Sequence, residues 1–137
     1  MKEIDLQNWN RKEHFEFFCK MNEPFYGLVQ TLDATIAYKH CKREGISFFT
    51  YYLHCALKAV NEIENLRYRI VDEKPVVFDV IDASATILRS DKTFGFSLMK
   101  YNEDLNVFSE LVKEEILRIE QKPGLVTRDD FRENLIH

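Results

Sequence analysis

The spacing of apolar side chains predicts two long amphipathic helices. Over residues 48–63 the apolar positions recur every three to four residues, which is the period of an α-helix with one buried face. Ser47 stands at the N-cap position, where its hydroxyl can accept a hydrogen bond from a first-turn amide. The segment 105–121 shows the same period, and Lys122-Pro123-Gly124 ends it.

A shorter helix is predicted near the N-terminus. Asn8 or Asn10 is a suitable cap, because an asparagine side chain accepts hydrogen bonds from the free amides of a first helical turn. The helix is expected to run through Phe18 and Cys19. Pro24 is expected to end the element, since a proline disfavours helical geometry in the residue before it.

Between these helices the pattern predicts one strand and one further helix. Residues 25–32 are rich in aromatic and β-branched side chains, which favour extended structure. Asp33 or Thr35 is the expected cap of the helix that follows. Gly45, which comes shortly after Arg43, is the expected stop of that helix.

The middle of the chain predicts four strands. Residues 66–71 and 75–80 are expected to form a hairpin around the turn at residues 72–74. Residues 83–88 and 93–99 are expected to form two further strands around Ser90-Asp91-Lys92. After the last helix, residues 134–137 resemble chain that enters another strand or a loop.

The order of these elements predicts an α+β fold, with a mixed or largely antiparallel sheet and helices packed on one side. The length of 137 residues, without an internal repeat or a linker, predicts a single domain over residues 1–137. The hydrophobic content of 45% is typical of a globular protein and not of a disordered one.

The net charge and the cysteine content restrict which binding partners and which cellular compartment we expect. The net charge of -4 argues against a general nucleic-acid-binding protein, which needs basic side chains against the phosphates. The three cysteines share no metal-binding spacing, and free thiols favour a reducing compartment. No signal-peptide pattern is visible, and no apolar run approaches the ~20 residues of a membrane span. These features predict a cytoplasmic protein without a membrane or metal partner.

Spacing alone reveals no catalytic motif. The four histidines form neither H-x-x-x-H nor H-x-x-E-H, and the sequence contains no G-x-S-x-G, P-loop or G-x-G-x-x-G. In the strand 93–99, alternation turns Phe94 and Phe96 to one face with Gly95 between them. Simple core alternation explains this pattern, and so does the close approach of a ligand or a second backbone at Gly95. The spacing leaves both interpretations open.

Residues 9–15 have the sequence W-N-R-K-E-H-F, which resembles the W-x-R-[KR]-E-H-F segment near the N-terminus of chloramphenicol acetyltransferases. Weaker similarities follow in the family's order: residues 61–67 resemble a helix end before an L-R pair, and residues 76–79 resemble V-x-W-D. Residues 85–87 and 93–94 fall where the family has F-T-V and T-F-S. The resemblance covers nearly the whole chain and implies the chloramphenicol acetyltransferase fold.

The resemblance implies a cytoplasmic O-acetyltransferase that uses acetyl-CoA, modifies a hydroxyl of chloramphenicol or a similar xenobiotic, and so serves antibiotic resistance. It also implies a homotrimer with active sites at the subunit interfaces. In the family a histidine of the motif H-H-x-x-x-D-G is the general base, and a serine stabilises the oxyanion. Neither has a match in residues 1–137. We therefore expect the N-terminal portion of a longer domain, without a catalytic residue and inactive alone.

Four residues take expected roles from the resemblance. Arg11 matches the arginine that pairs with the aspartate of H-H-x-x-x-D-G and supports the shape of the site. Phe18 matches an acceptor-contacting position that is often tyrosine, and the missing hydroxyl bears on whether chloramphenicol itself is accepted. Thr86 and Phe94 match strand positions that line the acceptor pocket.

Two other functions are compatible with the sequence. The first is a non-catalytic ligand-binding or oligomerisation module that retains the substrate-side half of the fold. The second is a protein of the related lipoamide acyltransferase fold, against which the W-x-R-[KR]-E-H-F match argues.

Overall fold

Four α-helices and seven short strands form the secondary structure of the described residues, 1–22 and 27–137, in a computed structural model of the chain. The helices are α1 (Lys12–Phe18), α2 (Thr35–Glu44), α3 (Phe48–Glu62) and α4 (Leu105–Gln121). The strands are β1 (Lys2–Glu3), β2 (Tyr68–Val71), β3 (Lys74–Val77), β4 (Asp82–Ala83), β5 (Thr86–Leu88), β6 (Phe94–Phe96) and β7 (Leu135–Ile136). A 3-10 turn, Glu64–Arg67, precedes β2.

The strands pair in both directions. An antiparallel sheet has the order β1-β3-β2, and β5 pairs antiparallel with β6. The chain end contributes β7, which lies parallel to β4, while an antiparallel bridge joins Ala83 to Met99. Helix α4 packs on β5 and β6 and against α3. The expected α+β fold with a mixed sheet is therefore confirmed.

The core lies between α3, α4 and the central strands. Leu53 and Leu57 of α3 are buried four residues apart, as are Phe108 and Val112 of α4. Burying each such side chain contributes about 1.5–3 kcal/mol, so these helical faces supply much of the stability. The same face of α4 also buries the carboxylate of Glu115.

The caps of the long helices follow the sequence. Ser47 accepts a hydrogen bond from the amide of Thr50, so the predicted start of α3 is confirmed. Asp104 accepts from two first-turn amides of α4, which ends at Gln121 as expected. Gly45 has φ +70 after α2, a left-handed conformation that favours glycine and ends the helix where predicted.

The predicted caps of α1 are wrong. The helix begins at Lys12, and Arg11 at the N-cap position makes no side-chain cap bond. Asn8 instead donates to the carboxylate of Asp5, which fixes a separate turn ahead of the helix. Because the side-chain amide of Asn8 bonds to Asp5 within that turn, Asn8 does not cap α1.

The strand predicted over residues 25–32 is also wrong where the structure describes it. Residues 25 and 26 lie outside the described residues, and residues 27–32 form no helix or strand. Leu28, Val29 and Leu32 are exposed there. Strand propensity alone does not stabilise a strand without a partner that pairs with it. The next helix begins at Thr35, whose amide donates to Asp33.

The predicted strands of the middle segment are confirmed with shorter bounds. The turn between β2 and β3 holds two residues, Asp72 and Glu73, both with positive φ. The predicted strand 83–88 is divided because the amide of Ala85 donates to the hydroxyl of Ser97. The Ser97 side chain replaces a main-chain acceptor there, so the regular pairing of this segment with residues 94–99 is interrupted between the Ala83–Met99 bridge and β5.

Among the described residues, no helix combines the length and the apolar character that crossing a lipid bilayer requires.

Candidate functional site

The β5–β6 pair brings two of the predicted site residues onto one face. Thr86 pairs with Phe96, and Leu88 pairs with Phe94. Because side chains alternate along a strand, the side chains of these four residues share one face, while Ile87 and Gly95 occupy the other. We call this surface, formed by Thr86, Leu88, Phe94 and Phe96, the hairpin face.

The hairpin face is open to solvent. Leu88 is 69% exposed and Phe94 is 45% exposed, although both are large apolar side chains. The rings of Phe94 and Phe96 lie 6.0 Å apart in an edge-to-face arrangement. Leu88 is not among the residues that the sequence suggested for the site, although the two-residue alternation around Thr86 and Phe94 predicts that Leu88 and Phe96 share their face.

Arg89 lies behind the hairpin face, at Gly95. A β-carbon added to Gly95 would lie 2.5 Å from Nη2 of Arg89 and 3.0 Å from a methyl carbon of Ile119. The sequence left open the approach of a ligand or a second backbone at Gly95, and the group that lies close to it in the structure is instead a buried arginine side chain. The aromatic residues on either side are not simple core alternation, because Phe94 is partly exposed.

Arg89 connects the hairpin to the end of α4. Its Nε donates to the carbonyl of Ile119 at 2.7 Å, and its Nη2 donates to the carbonyls of Lys122 and Gly124 at 2.8 and 2.7 Å. Its Nη1 donates to the hydroxyl of Thr93 at 3.2 Å. The guanidinium charge thus lies at the negative end of a helix dipole, where a cation is stabilised.

Two grooves adjoin the hairpin face. One has a volume of about 580 Å³ and is lined by Phe94, Pro123 and Leu125, among others. A second, of about 320 Å³, includes Phe96 and Val126. The amide of Phe96 donates to the carbonyl of Leu125 at 3.0 Å, so the segment after α4 runs beside β6, and its residues line both grooves.

The electrostatics of this region centre on Asp91. Thr93 donates to Oδ1 of Asp91 through its hydroxyl at 2.7 Å and through its amide at 2.9 Å. These hydrogen bonds lower the pKa of Asp91 below its usual value. Since Thr93 also accepts from Arg89, it relays a hydrogen bond between the buried cation and the exposed carboxylate.

Arg11 belongs to a separate aromatic cluster near the N-terminus. Its guanidinium carbon lies 5.1 Å from the centre of the Trp9 ring and 5.2 Å from that of Tyr68. Its Nη2 lies 3.4 Å from the side-chain oxygen of Asn65. The stacked, exposed guanidinium keeps hydrogen-bond donors available to a carboxylate. The hydroxyl of Tyr68 donates to Glu64, which raises the pKa of Tyr68.

Phe18 lies at the end of α1. Its ring is 50% exposed and meets the ring of Phe17 edge-to-face at 5.2 Å. Among the described residues, no hydrogen bond or aromatic contact joins Phe18 to the hairpin face. The structure therefore brings Thr86 and Phe94 together, and it shows no such contact of Phe18 or Arg11 with either residue in the part of the chain that it describes.

The histidines form no site in the part of the chain that the structure describes. No group of three or more potential metal ligands occurs among those residues. His54 is buried on α3, where its Nε2 donates to the carbonyls of Asn102 and Glu103 at 3.0 and 3.1 Å. This histidine holds the turn that leads into α4.

Three comparisons identify related proteins. The family profile for chloramphenicol acetyltransferase matches residues 1–137. Chloramphenicol acetyltransferase 3 of Escherichia coli is 28% identical over 106 residues, which are 77% of this chain and 50% of that protein. The chloramphenicol acetyltransferase of Bacillus pumilus is 25% identical over 137 residues, which are 99% of this chain and 62% of that protein.

A solved chloramphenicol acetyltransferase has a similar fold. It superimposes with a TM-score of 0.82 at 33% sequence identity, and the match covers 90% of this chain and 59% of that chain. The chain thus spans about half to three fifths of the length of these related proteins.

Proposed function

The chain belongs to the chloramphenicol acetyltransferase family, an acyltransferase family, and on that premise we propose that it carries the acceptor-binding part of an acetyl-CoA-dependent O-acetyltransferase. The acceptor is chloramphenicol or a similar small molecule with a free hydroxyl. Acetylation of such a compound would serve antibiotic resistance.

The hairpin face is the observation that supports this proposal most strongly. Thr86 supplies a hydroxyl that can donate or accept a hydrogen bond, and Phe94 and Phe96 supply a pair of rings beside it. Covering an exposed apolar side chain such as Leu88 with a ligand contributes roughly 25 cal/mol for each Å² buried. This combination suits a small molecule that has an apolar ring and polar substituents.

The proposed reaction is attack of the acceptor hydroxyl on the thioester carbonyl of acetyl-CoA. In the family a histidine of H-H-x-x-x-D-G removes the hydroxyl proton, and residues 1–137 contain no match to that motif. We propose that this chain alone does not catalyse the transfer. Arg11 would support the site by pairing with the aspartate of that motif, because its stacked guanidinium keeps donors free.

Phe18 is proposed to contact the acceptor through its ring alone. The family often has tyrosine at this position, and phenylalanine removes one hydrogen-bond partner. A less polar acceptor than chloramphenicol would then lose less binding free energy at this position.

The proposed oligomeric state and cellular location are those that the family resemblance implies. We propose a homotrimer for the whole protein, with Thr86 and Phe94 facing a subunit interface, and a cytoplasmic location where acetyl-CoA is supplied. Partial exposure of Phe94 supports an interface position, since a partner subunit would cover it.

A non-catalytic binding or oligomerisation module is the alternative. The exposed apolar side chains of the hairpin face are also compatible with such a module, because a ligand or a protein partner could cover them. A thiol-release assay with acetyl-CoA and chloramphenicol tests the proposal that this chain alone does not catalyse acetyl transfer. We expect no release above spontaneous hydrolysis from this chain alone. Turnover by this chain would show that the catalytic base lies within residues 1–137.

Calorimetry separates the two functions further. Tight binding of chloramphenicol without coenzyme would favour the binding module, whereas weak binding that acetyl-CoA strengthens would favour the transferase. Phe94→Ala should weaken either interaction, while Tyr38→Ala, which removes a similarly exposed aromatic ring on α2, should not.

A further inference from the structure

Arg89 is a buried cation that touches the back of the hairpin face. Its side chain is only 7% exposed, and it passes across the position where Gly95 lacks a β-carbon. Among residues 1–22 and 27–137 it takes part in no salt bridge with a carboxylate. Its charge is compensated by main-chain carbonyls at the end of α4 and by the hydroxyl of Thr93.

The bonds of Arg89 determine where the groove walls lie. Nη2 holds the carbonyls of Lys122 and Gly124, which belong to the segment that leaves α4. The next residue, Leu125, accepts the hydrogen bond from the amide of Phe96 and lines the groove that Phe94 also lines. Arg89 is therefore bonded to the segment that lines the groove together with Phe94 of β6.

Gly95 makes this arrangement possible. A side chain at this position would occupy the space of the Arg89 guanidinium, because its first carbon would lie 2.5 Å from Nη2. The pair of Arg89 and Gly95 thus allows the hairpin to lie close to α4 while the rings of Phe94 and Phe96 stay on the outer face.

We propose that Arg89 is a positioning residue for acceptor binding: it fixes the segment after α4 against β6 and so sets the width of the groove beside Phe94. The inference rests on the proposed function for its ligand, a small aromatic hydroxyl compound. The claim that Arg89 fixes the segment after α4 against β6 concerns this chain alone and does not depend on the ligand. A planar guanidinium suits the task, because it donates in fixed directions to several carbonyls at once.

Amide hydrogen exchange on the 137-residue chain distinguishes positioning from general stabilisation. The amide of Phe96 depends on Leu125, whereas the amide of Ser97 bonds to Ala85 within the sheet. In Arg89→Met we expect exchange at Phe96 to accelerate about tenfold or more, with exchange at Ser97 unchanged. Equal acceleration at both amides, or none at either, would overturn the proposal, because a merely structural role moves both together.

Conservative rescue and a matched control complete the test. Arg89→Lys keeps the charge but loses the planar guanidinium. We expect it to accelerate exchange at Phe96 less than Arg89→Met does, with exchange at Ser97 unchanged. It replaces Arg89→Met in the test if that variant does not fold. Arg43→Met changes an exposed arginine of α2 that pairs only with its neighbours, and it should leave both amides as they are. Selective acceleration at Phe96 in Arg43→Met would also overturn the proposal.

A chloramphenicol titration separates this inference from the proposed function. We expect Arg89→Met to weaken chloramphenicol binding about tenfold, which corresponds to ~1.4 kcal/mol, and Arg89→Lys to restore part of the loss. Absence of binding to the unmodified chain would refute the proposed function, while the exchange experiment still decides the role of Arg89. Unchanged affinity in Arg89→Met would refute the positioning role.

Discussion

The backbone amide of Leu98 donates a hydrogen bond of 2.8 Å to the carboxylate of Glu115. This bond joins α4 to the chain just after β6, at the back of the sheet that carries the hairpin face. Arg118 and Arg128 also donate to the same carboxylate. Burial alone raises the pKa of Glu115, but the hydrogen bonds from Arg118 and Leu98 outweigh it and hold the pKa below its usual value.

The Glu115 carboxylate should make stability depend on acid pH. Its folded pKa lies below the ordinary value of 4.5, so its contribution is present above pH 4.5 and is lost as the pH falls through the folded pKa. Glu115→Gln should lower the free energy of unfolding at pH 7 by about 3 kcal/mol and flatten this pH dependence. Urea unfolding at pH 7 and at pH 4 measures both effects. Glu114→Gln, on the exposed side of α4, is the control, and equal behaviour of the two variants would contradict the account.

Gly95→Ala should destabilise the chain by about 1–3 kcal/mol, because the new β-carbon would overlap the Arg89 guanidinium. The cost should be smaller in an Arg89→Met background, because the shorter methionine side chain places no hydrogen-bonded guanidinium in that space. It should not vanish, since Ile119 also lies 3.0 Å from the added carbon. A double-mutant cycle in urea measures this coupling, and strictly additive costs would contradict the contact.

Trp9 is the single tryptophan of the chain, so its fluorescence reports on the Arg11 cluster. Arg11→Ala should change the emission of Trp9 and lower the free energy of unfolding by no more than about 1 kcal/mol, as expected for an exposed cation–π contact. Arg43→Ala on α2 should change neither quantity. An emission spectrum that is the same in Arg11→Ala and in the unmodified chain would show that the stacking does not persist in solution.

Asp104→Ala should shorten or weaken α4. The side chain accepts hydrogen bonds from the amides of Asn106 and Val107, and loss of such a cap costs about 1 kcal/mol. Thermal unfolding followed by circular dichroism measures the loss. Asp129→Ala removes an exposed aspartate outside the helices and is the matched control, so an equal effect in both variants would argue against a capping role.

Helical periodicity accounts for the parts of the fold that the sequence predicted well. The apolar repeat of α3 and α4 depends on residues three or four positions apart, and the caps Ser47 and Gly45 are equally local. The pairing of β5 with β6 was predictable for the same reason, because a short loop separates them. The resemblance at residues 9–15 indicated the family correctly.

The features that the sequence did not predict depend on distant contacts. Arg89 bonds to carbonyls 30 to 35 residues away, which no local pattern records. The burial of His54 likewise depends on carbonyls of the turn before α4. In the segment 27–32 the local pattern predicted a strand that the structure does not form, because its strand-forming side chains have no partner strand among the described residues. The roles of Arg11, Phe18, Thr86 and Phe94 in the site stay predictions.

A chloramphenicol titration followed by nuclear magnetic resonance of the isotope-labelled chain tests the central claim most directly. We predict chemical-shift changes concentrated at Thr86, Leu88, Phe94 and Phe96, with smaller changes at Leu125, and a matching loss of affinity in Phe94→Ala. The resonances of α2 serve as the internal reference and should not move. Changes concentrated on α2, or no changes up to the solubility limit of chloramphenicol, would contradict the assignment of the acceptor site to the hairpin face.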